Sequence, residues 1–151
     1  MTTNTIQKSF ETIRDKIFFV FSIIFNILVS AVYIYSKFDQ MAFVQVIGVP
    51  IILLIIPFTY TLNRFLKDHE EKRIIFSNAA IIIYLLLELL LDYILLIPFR
   101  EILAIHIPYI LVFYIAEFSI IGVSFKLSRK MGFVVLFTFF VLIWCLIFSY
   151  S

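Results

Sequence analysis

The sequence predicts an all-α protein, an integral membrane bundle of five transmembrane helices in a single domain, N-terminus cytoplasmic and C-terminus outside. Three observations carry that prediction. Apolar residues make up 64% of the chain and charged residues 15%, against about 45–50% and about 25% in soluble domains. The apolar residues gather in five long stretches, and the basic residues gather in segments that alternating helices bring to one side. A folded domain of 151 residues leaves much of its surface exposed, and too few polar side chains are present to cover that surface in water. The composition therefore excludes an ordinary soluble enzyme, a disordered tail and a nucleic-acid-binding domain. Membrane lipid is the expected partner and nucleic acid is not.

Crossing about 30 Å of hydrocarbon takes about 20 mostly apolar residues in a helix. Span one is predicted over 17–35. It is longer than the about 7–15 apolar residues of a signal-peptide core and has no A-x-A pattern after it, so it is read as a retained helix. Ahead of it Ile6, Phe10, Ile13 and Ile17 recur at helical spacing, with Lys8, Glu11 and Asp15 elsewhere, which predicts an interfacial helix over 6–16. Span two covers 41–62. Gly48 and Pro50 lie near its middle and Pro57 follows, so a kink is expected there, with the carbonyls of Val46 and Leu53 freed by the missing proline amides. Span three covers 74–97 and span four 102–125. Pro98, Phe99, Arg100 and Glu101 separate them, and a single helix through both would be far too long for a bilayer, so a tight hairpin is predicted. Span five covers 131–150. Runs such as Ile51–Ile56 and Leu85–Leu91 lack the alternation of barrel strands, which leaves helix as the way to satisfy the backbone in lipid.

Orientation follows from charge. With the N-terminus inside, Lys8, Arg14, Lys16, Arg64, Lys67, Lys72, Arg73, Lys126, Arg129 and Lys130 are cytoplasmic, and only Lys37 and Arg100 are outside. Three separate segments agree, as the positive-inside rule requires. Tyr33, Tyr35, Tyr93 and Tyr150 then fall near outer helix ends, where interfacial aromatics belong. The loop from Asn63 to Arg73, with His69 in it, is read as a solvated topology anchor. The cytoplasmic membrane is the expected location.

Ionisable groups in hydrocarbon cost at least about 2.5–3.5 kcal/mol on insertion scales and mark candidate functional sites. Span three carries Glu88 and Asp92, and span four His106 and Glu117. Glu88 lies within about 4 Å of its span's midpoint and Glu117 within about 5 Å. Asp92 and His106 are level in an antiparallel hairpin, so a carboxylate–imidazole hydrogen bond can form. At 100° per residue Ser77, Tyr84, Glu88 and Asp92 share one strip of span three. His106, Tyr109, Phe113 and Glu117 share one on span four. Facing each other, the strips would line a polar seam for an ion or substrate, from Tyr84, Glu88, Asp92, His106, Tyr109 and Glu117. The structural alternative is that these groups only hydrogen-bond neighbouring helices and fix their packing. Asn26 and Gln45 are read the same way.

Catalytic motifs are missing. There is no HExxH, GxSxG or P-loop pattern. Cys145 is the single cysteine, so neither an internal disulfide nor a dithiol pair can form. Glu88, Asp92, His106 and Glu117 are metal-ligand types without diagnostic spacing, so neither a metal nor a cofactor is expected. The stretches LELLLDYILLIPFREILAIHIPYILVFY (Leu87–Tyr114) and IGVSFKLSRKMGF (Ile121–Phe133) resemble segments of small uncharacterised membrane proteins of archaea and related prokaryotes. No activity attaches to that group, so the resemblance implies a multi-span fold and carries over no functional residue. The isoleucine-rich, alanine-poor spans fit an AT-rich prokaryotic genome. Three functions are therefore expected to compete. The first is a small proton- or cation-linked carrier using the intramembrane carboxylates. The second is a non-catalytic subunit or scaffold, as a homo-oligomer or bound to a partner membrane protein. The third is a membrane-embedded enzyme acting on lipid at the outer leaflet, and the lack of motifs weighs against it.

Overall fold

A computed structural model describes residues 2–38, 41–95 and 102–150, with side chains placed for 13–38, 42–95 and 102–149. The turn Pro98–Glu101 between spans three and four lies outside the described residues. No proline or glycine occurs between Thr2 and Lys37, and helix α1 runs unbroken over Thr2–Lys37. The amphipathic segment 6–16 and span one are thus one helix, about 54 Å long at 1.5 Å per residue.

Span two is two helices, α2 (Met41–Leu53) and α3 (Ile55–Lys67). The interruption falls at Leu54, whose amide bonds back three residues to Ile51 at 3.1 Å. Pro57 explains the position: its ring displaces the carbonyl four residues back, that of Leu53, where α2 ends. Helix α4 (Lys72–Glu88) passes into a π-helical turn over Leu89–Ile94. Here bonding spans five residues, as Leu95 N–H to Leu90 C=O at 2.9 Å shows. Helices α5 (Leu103–Leu127) and α6 (Arg129–Tyr150) complete the chain, joined through the extended residue Ser128. That join is tight: a Cβ on Gly132 would fall 2.8 Å from the Phe125 Cα. Gly48 serves a similar end, since the Tyr93 hydroxyl occupies the place of its missing Cβ and donates to the Gln45 carbonyl at 2.8 Å. The π turn and the middle of span two are held together there.

Five helical segments are long and apolar enough to cross a membrane: Ile13–Lys37, Ala42–Lys67, Lys72–Ile94, Leu103–Leu127 and Arg129–Ser149. Packing follows a closed ring, α1 on α6, α6 on α5, α5 on α4, α4 on α3, and the α2–α3 pair back on α1. The outward face is apolar, with Phe76, Ile56 and Trp144 (77% exposed) projecting from it, a surface suited to hydrocarbon. The chain is a multi-pass membrane protein.

The segments richest in Lys and Arg meet at one end of the ring, hereafter the basic end. Arg14 is buried there (3% exposed). It bonds to Asp15 at 3.0 Å, Asp68 at 2.7 Å and Glu70 at 3.2 Å, and lies 4.7 Å over the Phe65 ring. A charge counted only for topology thus ties α1 to the α3–α4 loop. The loop supplies its acids through a Schellman turn, with Glu70 N–H on Phe65 C=O and His69 N–H on Leu66 C=O. His69 takes the left-handed position at φ 52°. Lys126 bonds to exposed Glu71 at 2.5 Å and holds its carboxyl below the usual range. Behind this end Phe18 packs edge-on against Phe58 and Phe65 at 5.7 and 6.1 Å.

Replacing Arg14 with methionine is expected to cost about 1.5–3 kcal/mol of stability, the range for hydrogen bonds to charged groups. Thermal unfolding in detergent checks it, and an unchanged midpoint would show the cluster to be incidental.

Candidate functional site

Tyr84 and Glu88 lie one turn apart on α4, so their side chains stack on one face. Tyr109 meets them from α5. The Tyr84 hydroxyl donates to Glu88 Oε1 at 2.8 Å and lies 3.1 Å from the Tyr109 hydroxyl, which donates to the same oxygen. Two phenols thus converge on one carboxyl oxygen. The Tyr84 ring is buried between Phe25 at 5.8 Å and Phe113 at 5.4 Å, which fixes where its hydroxyl points.

Beside this group lies a cavity of about 620 Å³. Glu88, Tyr84, Tyr109, His106 and Phe113 line it from α4 and α5. Tyr33, Ser36 and Lys37 line it from the last turns of α1, and Leu146 and Ser149 from the last turns of α6. It therefore runs from the carboxyl group toward the end of the ring opposite the basic end. The His106 ring stacks on Tyr109 with centroids 6.3 Å apart. At the far end Lys37 Nζ donates to the Phe148 carbonyl at 2.8 Å and sits over the Phe148 ring.

Of the six seam residues, Tyr84, Glu88, Tyr109 and His106 are brought together at the cavity. Asp92, on the π turn, stands within hydrogen-bonding reach of Glu88. Glu117 is separated from them. It is fully buried, and both its carboxyl oxygens lie 3.0 Å from the side-chain amide of Asn26, on α1. The other side of that amide is 2.8 Å from Thr138 Oγ1, on α6. Helical periodicity put Glu117 on the same strip as Tyr109, but α5 faces α4 near Tyr109 and α1 and α6 near Glu117. Among the kink residues, Gly48 receives Tyr93, Pro50 lies within α2 without ending it, and Pro57 marks the break.

Sequence reasoning left out Thr138 and the cavity residues Tyr33, Ser36, Lys37 and Ser149. Thr138 did leave a signal, as the one hydroxyl in the run Phe137–Phe140. The cavity residues left none, because they come from turns that read as ordinary interface. Among the described residues no group of three or more His, Cys, Asp and Glu is placed to hold a metal ion. The chain matches no known protein family, no curated protein and no solved structure.

Tyr84→Phe and Tyr109→Phe are each expected to cost about 1–2 kcal/mol of stability. Their double mutant is expected to fall short of the sum by at least about 0.5 kcal/mol, because the phenols share an acceptor. Unfolding of the three variants in detergent measures this, and additive costs would show the bonds to be independent.

Proposed function

We propose that the chain is a small proton-linked cation carrier of the cytoplasmic membrane, with the basic end inside and Glu88 as the group that exchanges a proton for the cation. The observation that supports this most is the carboxyl of Glu88, held by two tyrosine hydroxyls at the wall of a cavity of about 620 Å³. Cavities of about 300–1,000 Å³ hold small organic molecules. This one joins a carboxyl group to the rings of Tyr33, Tyr84, Tyr109, Phe113 and Tyr114. A carboxylate surrounded by aromatic faces suits a cation with an organic body, through charge and cation–π attraction.

The fold around the cavity supports a carrier over a channel. The ring interior is filled at the basic end by Phe18, Phe58 and Phe65, all fully buried. The cavity extends the other way. A site accessible from one side at a time is what alternating access needs. The placement of basic residues favours a cytoplasmic N-terminus and an external C-terminus.

In proteoliposomes holding a pH-sensitive dye, the wild-type chain is expected to exchange external Na⁺, K⁺ or tetraethylammonium for internal protons, with tetraethylammonium fastest. Glu88→Gln, which keeps the hydrogen-bond acceptor and removes the ionisable group, is expected to slow exchange at least about tenfold, or about 1.4 kcal/mol. Exchange by the variant at the wild-type rate, or none by the wild type with any of the three cations, would overturn the proposal.

A further inference from the structure

We propose that Glu117, Asn26 and Thr138 form a proton-binding site separate from the cavity, in which rotation of the Asn26 amide records whether Glu117 holds a proton. The site does not depend on transport at Glu88.

The geometry is that of an amide held between two partners whose donor and acceptor roles can exchange. One end of the Asn26 amide is 3.0 Å from both oxygens of Glu117, and the other end is 2.8 Å from Thr138 Oγ1. Thr138 Oγ1 is in turn 2.6 Å from the Val135 carbonyl. An amide has a donor end and an acceptor end, a hydroxyl has one hydrogen, and a carboxyl donates only when protonated. Two arrangements give both ends of the Asn26 amide a partner, and they differ in whether the Thr138 hydroxyl turns to Val135 or to Asn26. With Glu117 protonated, its O–H donates to Asn26 Oδ1, the Asn26 NH₂ donates to Thr138, and the Thr138 hydroxyl donates to Val135. With Glu117 ionised, the Asn26 NH₂ donates to both carboxylate oxygens, and the Thr138 hydroxyl turns from Val135 to Asn26 Oδ1. The Val135 carbonyl lies within α6, where the helix ladder supplies its other bond. Gaining the proton from water and returning it to water converts one arrangement into the other. The Asn26 amide turns over and the Thr138 hydroxyl rotates, and the only covalent change is the O–H bond of Glu117.

Among the described residues no other side chain bonds to the carboxyl. Asn26 and Glu117 are fully buried. Among the described residues Glu117 makes no ion pair. The groups that face it from α1 and α6, Asn26 and Thr138, are neutral. From α4, Tyr84 and Glu88 are engaged with Tyr109 instead. Three helices of the ring meet at this amide, so its orientation is shared by α1, α5 and α6.

Infrared difference spectra of the full chain in lipid, with isotope-labelled asparagine, test the site. Raising the pH is expected to remove a carboxylic-acid C=O band, assigned to Glu117 by its loss in Glu117→Gln. The Asn26 side-chain carbonyl band is expected to shift at the same pH midpoint. Glu117→Asp, which moves the acid band without removing it, gives the assignment if Glu117→Gln does not fold. Thr138→Val is expected to abolish the Asn26 shift and Thr138→Ser to restore it. An Asn26 band that ignores pH, a Glu117 band constant wherever the fold persists, or a Thr138→Val spectrum like the wild type would each overturn the proposal.

Discussion

Hydrocarbon offers no hydrogen bonds, and the rest of this structure depends on that constraint. Each polar group carried into the spans must find its partner inside the bundle. Among the described residues the backbone meets the requirement by being helical along the spans, with Leu54 as the one interruption, where its amide bonds to the Ile51 carbonyl. Several side chains meet it by turning inward and pairing, while Asn78 Oδ1 and Ser124 Oγ are buried with no hydrogen-bond partner among the described residues. Tyr84 and Tyr109 close on Glu88, Asn26 links Glu117 to Thr138, and Asn78 reaches Thr61 at 2.9 Å between α4 and α3. Ser22 and Ser30 return to the carbonyls one turn back, of Phe18 and Asn26, at 2.7 Å each. The outward surface is mostly Phe, Ile, Leu, Val and Trp, with Gln45, Thr59 and Tyr60 as polar exceptions on span two.

This inward pairing also orders the ring. Apolar contact alone does not choose one helix neighbour over another in lipid, whereas a polar pair does. Contacts through Asn26, Glu117 and Thr138 join α1, α5 and α6, and those through Tyr84, Glu88 and Tyr109 join α4 and α5. Outside the hydrocarbon, Arg14 fastens the α3–α4 loop to α1. The two ends of the ring therefore differ. The basic end is filled with phenylalanine and clamped by ion pairs. The other end holds a cavity whose polar wall is the Glu88 group.

Much of the fold was legible because composition and length are strong signals in membranes. The five spans follow from apolar run length, and the break at Leu54 follows from Pro57. The π turn over Leu89–Ile94 was not legible, since its residues are ordinary helix formers and the bonding pattern is set by packing, including Tyr93 against Gly48. The meeting of Tyr84 and Glu88 with Tyr109 was legible in part, because helical spacing groups polar residues on a face and a hairpin makes two faces neighbours. The separation of Glu117 was not. One strip on α5 serves different neighbours along its length, and the order of helices around a ring is not written in the periodicity of any one of them. Arg14 shows the same limit: a basic residue near a span end reads as an orientation signal, and only the fold reveals three acids around it.

The central claim is that the cavity beside Glu88 is reached by water although it lies among membrane helices. The direct measurement compares two positions on α5 in a Cys145→Ser background, with the protein in membranes and a membrane-impermeant thiol reagent. Ile110 lines the cavity, while Ile115 is 56% exposed on the outer face of the bundle. The account predicts that Ile110→Cys reacts and Ile115→Cys does not, because the more exposed residue faces lipid and the less exposed one faces water. Labelling of Ile115→Cys alone, of both or of neither would contradict it.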